Sequence, residues 1–362
     1  MALAVPLDYP PMEAKPVDAL PEGPQWRYEP KWDGFRCLAF RDGADVHLRS
    51  KAGQPLERYF PEIVAALQAL PVTRCVLDGE LVVPEGNTLS FDELLMRIHP
   101  AASRVQTLAR THPAVYVVFD LLVDARGESL VDAPLDQRRA ALEHFAAHAF
   151  ADAPAFRLSP MTRSRADVDA WLAALGSDID GAIAKRADLA YRSGERTGMQ
   201  KYKRMRTADC VVGGFRYGAK TSVVGSLLLG LYDDEGLLHH VGFTSNIPQR
   251  DRATLTKTLE ALVAKPGFTG RAPGGPSRWS TARRRAAPRR ALPLGGSDAA
   301  HAASVGGSFA GSGEWQPLRP KLVAEVRFDH FSGGRFRHGT NFLRWRPDKL
   351  PRQCTLEQVA RE

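Results

Sequence analysis

Hydrophobic and polar residues alternate every second position through several short stretches and recur every third or fourth position through a few longer ones. The chain therefore mixes strands with helices. Alternation through Cys37, Ala39 and Val46, with Asp42-Gly43 between them, predicts a β-hairpin over Arg36–Leu48. Phe60, Ile63, Val64 and Leu67 stand at helical spacing and predict an amphipathic helix over Leu56–Leu70. Cys75–Val83 and Val115–Leu122 are apolar runs of strand length, interrupted by Asp78 and Glu80 in the first and by Asp120 in the second. A buried strand does not tolerate an unpaired carboxylate cheaply, so Asp78 or Glu80 sits at a turn or faces a polar site. Helices follow near Leu135–Phe150 and Ser164–Leu175. In the second, Ser164 and Asp167 form a capping pair, Val168, Trp171, Leu172 and Leu175 form one face, and Gly176 ends it. Asp180–Arg186 and Gly198–Arg204 read as short strands, the latter with Lys201 and Lys203 on one face.

Beyond Arg206 the pattern turns to β. Val211–Tyr217, Ser226–Tyr232, Leu237–Phe243, Leu322–Phe328 and Phe342–Trp345 read as short strands, with one helix near Pro248–Val263. This predicts an α+β chain: a first domain of antiparallel sheets and helices over 1–206, then a small OB-fold barrel over 207–362. Residues 1–27, rich in proline, read as an extended strap. Residues 282–313, with Arg283-Arg284-Arg285, Arg289-Arg290 and Gly/Ala/Ser repeats, lack the apolar side chains needed to offset ordering entropy and read as a disordered insertion.

A net charge of +8 over 362 residues makes polyanions plausible partners without saying which. Four cysteines without a Cys-x-x-Cys pair argue against a zinc ribbon or a disulfide scaffold and fit a reducing cytoplasm. The amino-terminal stretch lacks the build of a signal peptide, and no apolar run nears the ~20 residues that span a bilayer.

The stretch Tyr28-Glu29-Pro30-Lys31-Trp32-Asp33-Gly34-Phe35-Arg36 carries the sharpest chemistry. A lysine with a reference pKa of about 10.4 is a poor nucleophile near neutrality unless burial and neighbouring cations lower that value. Gly34 suits close approach of backbone to a ligand, and Arg36 suits a phosphate or sugar. Taken alone, the stretch also reads as a surface lysine beside an Asp-Gly turn.

Further motifs decide between these readings. In chain order, Lys31-x-Asp33-Gly34-x-Arg36, Ser50-Lys51-Ala52-Gly53, Asp78-Gly79-Glu80, Phe119-Asp120, Asp180-Gly181-x-x-x-Lys185, Lys201-x-Lys203 and Arg344–Lys349 resemble the motifs of minimal bacterial ATP-dependent DNA ligases. These are of the LigC and LigD ligase-domain type, within the lysine nucleotidyltransferase superfamily. The resemblance covers nearly the whole chain outside 282–313. It departs at Lys51, where arginine is usual, at Asp180, where glutamate is more usual, and at Gln200, a place often held by tryptophan.

The resemblance implies that Lys31 attacks the α-phosphate of ATP and expels pyrophosphate. AMP then passes to the 5′-phosphate of nicked duplex DNA, and the 3′-hydroxyl displaces it, as in DNA repair. It implies Lys31, Asp33, Lys201 and Lys203 as catalytic, and Glu80 and Asp180 as ligands of Mg²⁺ or Mn²⁺. It implies Glu29, Lys31, Arg36, Glu80, Phe119, Lys185, Lys201, Arg344, Arg346 and Lys349 as cofactor-binding, and Ser50 and Lys51 as DNA-binding. Lys201 and Lys203 are expected to depress the pKa of Lys31. The Arg344–Lys349 cluster is expected to cover the β and γ phosphates, with a hinge near Arg204–Ala208. A monomer in the cytoplasm, associated with the nucleoid and working with separate end-processing or repair polymerase proteins, completes the expectation. RNA ligases, GTP-dependent capping enzymes and a non-catalytic nucleic-acid-binding module remain as alternatives. An NAD-dependent ligase would need a nicotinamide-binding domain and a four-cysteine zinc module, and neither is visible.

Overall fold

Alternation at every second position becomes four strands within the first fifty residues: β1 (Lys15–Val17), β2 (Trp26–Trp32), β3 (Phe35–Asp42) and β4 (Asp45–Ser50). The computed structural model describes residues 3–175, 178–274 and 314–360, so Gly176 and the insertion expected over 282–313 lie outside the described residues. The chain divides into two units, Met1–Lys203 and Arg204–Glu362.

In the first unit, Gly43 (φ 66°) turns β3 into β4. Lys31 lies in β2 itself, and Asp33-Gly34 links β2 to β3. Helix α1 (Pro61–Ala69) precedes β5 (Arg74–Val82), and a two-residue pairing of β6 (Pro84–Glu85) with β7 (Thr88–Leu89) follows. Helices α2 (Phe91–Met96) and α3 (Ala102–Thr111) occupy a stretch without a clear apolar period. Then come β8 (Val115–Val123), α4 (Leu135–Ala149), β9 (Phe156–Leu158), α5 (Arg165–Ala174), β10 (Ile179–Arg186) and β11 (Met199–Lys203). Helix α5 is capped as its sequence predicts, the Ser164 side chain accepting from the Asp167 amide.

These strands form two sheets, ordered β4-β3-β5-β8-β9 and β1-β11-β10-β2. Cys37, Ala39, Cys75 and Leu77 turn to one side of the first sheet and bury against Phe60, Ile63 and Leu67 around α1 and Leu142 and Phe145 of α4. Leu38, Phe40 and Val76 turn to the other side and join Met199 of the second sheet. The outer side of the second sheet, with Trp26, Tyr28, Ala182 and Ala184, is covered by Val168, Trp171 and Leu172 of α5. Period-two alternation then puts Arg36, Asp78 and Glu80 on the side of the first sheet that meets the second. It puts Glu29, Lys31, Lys185, Lys201 and Lys203 on the side of the second that meets the first.

The second unit runs β12 (Arg206–Tyr217), β13 (Val224–Tyr232), β14 (Leu238–Thr244), α6 (Gln249–Glu260), β15 (Gln316–Pro317), β16 (Val323–Phe328), β17 (Phe331–Ser332), β18 (Arg335–Phe336) and β19 (Asn341–Trp345). Its sheet is ordered β14-β13-β12-β16-β19, with β15 paired to β12. Among the described residues the two edges meet at one bridge, between Thr244 and Thr340, where Thr244 Oγ1 also donates to the Thr340 carbonyl at 2.9 Å. The chain is thus α+β, a nucleotidyltransferase-type unit followed by an OB-like sheet that, among the described residues, curls without closing into a full barrel.

Gly34 has a structural duty that differs from the ligand-approach role its sequence suggests. A Cβ there would lie 2.3 Å from the Leu81 carbonyl oxygen and 2.8 Å from Glu80 Cγ. Gly34→Ala is therefore expected to cost about 1–3 kcal/mol, the usual range for overpacking. The denaturant midpoint should fall at unchanged slope, and an unaltered midpoint would refute the contact.

Candidate active site

Lys31 is positioned by an irregularity in the second sheet. Ile179 pairs with Trp32 and Gly181 with Lys31, so Asp180 is an extra residue bulged out of the β10–β2 ladder. The bulge delivers Asp180 Oδ2 to 2.8 Å from Lys31 Nζ. Gly181 makes it possible, since its φ is 155° and a Cβ would lie 2.0 Å from the Tyr202 carbonyl oxygen. On the far side of Gly181, across β11, stands Lys203, whose Nζ is 3.7 Å from the same Asp180 oxygen. Lys201 pairs with Ile183 on the same face.

Opposite, in the first sheet, Asp78 is fully buried and grips Arg36 at both ends of the guanidinium, Nε to Oδ1 at 3.0 Å and Nη2 to Oδ2 at 2.7 Å. The Tyr191 hydroxyl donates to the same carboxylate at 2.6 Å. Asp78 thus orients Arg36, and Tyr191 orients Asp78. Sequence reasoning missed Tyr191, which carries no signal beyond being an isolated aromatic. Phe119 of β8 lies 5.3 Å from the Arg36 guanidinium and 4.6 Å from Lys185 Nζ, within cation–π reach of both. Lys185 Nζ is 2.9 Å from Glu29 Oε2, and both side chains are buried. Burial pushes the Glu29 carboxyl above its usual range, and Lys185 offsets part of that rise.

The electrostatics of Lys31 run against the sequence expectation. Burial is the largest single influence and pulls its pKa down, but Asp180, Asp33 and Glu80 together outweigh it and leave the value raised. The expected depression by Lys201 and Lys203 is not the outcome: the carboxylates prevail and hold the ammonium. Because the folded value exceeds the unfolded one of about 10.4, this contribution to stability is fully present below about pH 10. It fades only as the pH climbs through the raised value.

The remaining predicted residues have partners of their own. Ser50 closes a small turn, its Oγ accepting from the Gln54 amide at 3.0 Å, and Lys51 Nζ lies 3.8 Å from Glu13. Arg344, Arg346 and Lys349 belong to the second unit. Arg346 Nη1 donates to both Asp209 oxygens at 3.0 and 3.1 Å, and Lys349 Nζ reaches Asp209 at 2.7 Å. Arg344 is held by Glu325 at 2.5 Å. Asp209, in the first half of β12, is a second organising residue that the sequence reading passed over.

Removing the charge of Asp180 should release Lys31. Each unit by which the pKa falls gives about tenfold more free amine. In Asp180→Asn, acylation of Lys31 by a small neutral reagent at pH 9, read by peptide mass spectrometry against the exposed Lys257, is expected to rise about tenfold. An unchanged ratio would show that Asp180 does not hold the ammonium.

With this geometry in hand, comparison with known proteins is informative. Residues 11–203 match the family model described as the ATP dependent DNA ligase domain, and residues 220–349 the ATP dependent DNA ligase C terminal region. DNA ligase C2 of Mycolicibacterium smegmatis is 45% identical over 356 residues, covering 96% of this chain and 93% of the relative. DNA ligase C of Mycobacterium tuberculosis is 40% identical, covering 97% and 93%. Among solved structures, a Lig E DNA ligase covers 93% of this chain and 99% of its own with a TM-score of 0.53 at 15% identity, a likeness of fold. Two-sheet unit, OB-like unit and ordered motifs agree with these matches, and the chain belongs to the ATP-dependent DNA ligase family.

Proposed function

We propose that Lys31 is the residue that carries AMP in this ligase, and that the charged groups around it divide the labour of the three steps. The observation that carries this reading is the convergence on Lys31 of Asp180 at 2.8 Å, with Lys203 beside that acid at 3.7 Å. Nζ must lose a proton before it can attack, and Asp180 Oδ2 is an acceptor within hydrogen-bond reach. Nζ then forms the bond to the α-phosphorus as the bond to pyrophosphate breaks. Lys201 and Lys203, on the same sheet face, stabilise the charge that spreads over the phosphate oxygens. Arg36, fixed by Asp78, and Glu80 hold the ribose and phosphate, while Phe119 and the Glu29–Lys185 pair form the floor for the adenine. Ser50 and Lys51 contact DNA.

Asp33 and Asp180 bring carboxylate oxygens within 4.8 Å of each other, and Glu80 acts on the same lysine. An all-oxygen donor set of this kind suits a hard divalent cation. Glu80 and Asp180, with Asp33 beside them, would hold Mg²⁺ or Mn²⁺, whose chemistry there is to neutralise these carboxylates and the phosphate oxygens. Arg344, Arg346 and Lys349 serve the β and γ phosphates during self-adenylation. Glu325 and Asp209 keep them spread until a phosphate competes for them. The enzyme works as a monomer in DNA repair, in the cytoplasm at the nucleoid, alongside separate end-processing or polymerase proteins. The nucleotidyltransferase domain is assigned to 1–206 and the OB domain to 207–362. Among the described residues no helix is long and apolar enough to cross a membrane.

With α-labelled ATP, Lys31→Ala should lose all label that survives denaturation yet still seal a chemically pre-adenylated nick slowly. Label retained on the variant would move the nucleophile elsewhere. Replacing Arg346 and Lys349 by alanine should slow self-adenylation at least tenfold while leaving sealing of the pre-adenylated nick within about twofold. Normal adenylation with impaired sealing would instead place the cluster on DNA.

A further inference from the structure

The second unit holds a group of cations whose charges nothing balances among the described residues. Arg216 of β12 and Arg335 of β18 are half-buried, and neither has a carboxylate partner or a side-chain hydrogen bond there. Arg216 is two residues from Gly214 and so on the same face of β12, the face that meets Trp315, whose ring centroid is 5.5 Å from that of Phe268. Arg271 is pinned by its two terminal nitrogens, which donate to the Gly333 carbonyl at 3.3 Å and the Gly334 carbonyl at 3.0 Å, while its Nε is buried without a partner. That pinning sets Arg271 against the residue next to Arg335.

His240 of β14 belongs to the same place. Its backbone amide donates to the Arg271 carbonyl at 2.8 Å, and the Arg271 amide donates to His239 Nδ1 at 3.0 Å. Two residues on, a Cβ at Gly242 would lie 2.9 Å from the Phe336 ring, so the β17–β18 hairpin rests on β14 next to His240. The Phe268 ring covers His240 edge-on, its centroid 5.4 Å away. His240 is only 8% exposed, yet both of its ring nitrogens lack a hydrogen-bond partner. The carboxylate close by in sequence, Asp233, is engaged by His239 Nε2 at 2.6 Å.

A buried imidazole with two idle nitrogens is costly, and half-buried guanidiniums without counter-charge repel one another. Both costs vanish if a small anion with several oxygens sits among them. We propose that Arg216, Arg271, Arg335 and His240 form a binding site for a tetrahedral phosphate-type oxyanion, separate from the nucleotide site around Lys31. Guanidiniums supply the charge and directed N–H donors, and neutral His240 donates one ring N–H to a ligand oxygen. The electrostatics agree: burial first, then Arg335, Arg216 and Arg271, push the His240 pKa down to about 3, the signature of a pocket made positive and left unneutralised. The anion can be a phosphodiester of the DNA backbone or a free phosphate or pyrophosphate.

Two measurements on the full chain separate these sources, with self-adenylation, which does not use these residues, reporting on folding and on the nucleotide site independently. The first is thermal unfolding in phosphate against chloride at matched ionic strength. The second is nicked-duplex affinity as a function of salt, for wild type, Arg216→Gln/Arg335→Gln, and Arg250→Gln as an exposed control. If the ligand is a free oxyanion, millimolar phosphate raises the wild-type midpoint by several degrees and the double variant loses the rise. If it is a DNA phosphodiester, the double variant binds the duplex more weakly and its slope of log affinity against log salt falls by about one. The control keeps its slope. In chloride the double variant melts no lower than wild type, because uncompensated repulsion has been removed; a merely structural pair of arginines would melt lower. A wild-type midpoint indifferent to phosphate, together with unchanged duplex affinity and slope in the double variant, overturns the proposal. Arg335→Gln alone gives the same reading should the double variant fail to fold.

Discussion

The contact between Lys31 and Asp180 is the constraint on which the nucleotidyltransferase unit depends. It exists because β10 carries one residue too many at Asp180, and the chain can carry it only because Gly181 has no side chain to strike the Tyr202 carbonyl. Without the bulge, Asp180 would point to the other face of the sheet, toward α5, and Lys31 would lack the acid that now holds it. The same short segment therefore sets Lys31, the carboxylate hydrogen-bonded to it and the neighbouring Lys203. The cost is that the resting lysine is an ammonium, and the site must lose negative charge before the amine is free to react.

The space between the two sheets is built from paired charges rather than apolar packing alone. Asp78 with Arg36, Asp120 with Arg138 and Glu29 with Lys185 each place a buried carboxylate against a cation. Removing one partner of such a pair costs about 3–5 kcal/mol, since the other charge is left buried and alone. These pairs are therefore weak sources of net stability but strong determinants of geometry. Arg36 cannot swing while both ends of its guanidinium are held by Asp78, and Asp78 cannot turn while Tyr191 donates to it. A rigid Arg36 and a rigid Lys185 then fix the surroundings of Phe119.

Much of this was legible in the chain because strand alternation is a local rule. Asp78 and Glu80 interrupt an apolar run at positions of equal parity, and that parity alone places the two on one side of the sheet; the pairing of Arg36 with Glu80 adds Arg36 to that side. The hairpin at Asp42-Gly43 and the capped helix after Ser164 were equally plain, since turn and cap chemistry act within four residues. Helices α2 and α3 were not legible, because α3 has no capping side chain at Ala101 and only Val105 and Ala109 buried. The bulge at Asp180 was invisible because register is a property of two strands. The sign of the Lys31 shift depended on Asp180, Asp33 and Glu80 together outweighing burial, and the even mix of Lys201, Lys203, Asp33 and Asp180 in the motifs does not weigh these influences.

The second unit treats its cations in two opposite ways, and the contrast bears on function. Arg346 and Lys349 share Asp209, which stands 8% exposed on β12 and is itself bracketed by Gln358, whose side chain accepts from its amide and donates to its carbonyl. Arg346 also donates to Asp348, from Nη2 at 2.8 Å; cations held by carboxylates in this way can exchange a partner for a phosphate at little net cost, since one anion replaces another. Among the described residues Arg216 and Arg335 have no such placeholder. For them an arriving anion relieves repulsion instead of displacing a partner, so binding there gains the whole of the charge compensation. The first arrangement favours reversible engagement of a phosphate. The second favours retention, as suits a point where a long polyanion or a small oxyanion is kept in place while other contacts change.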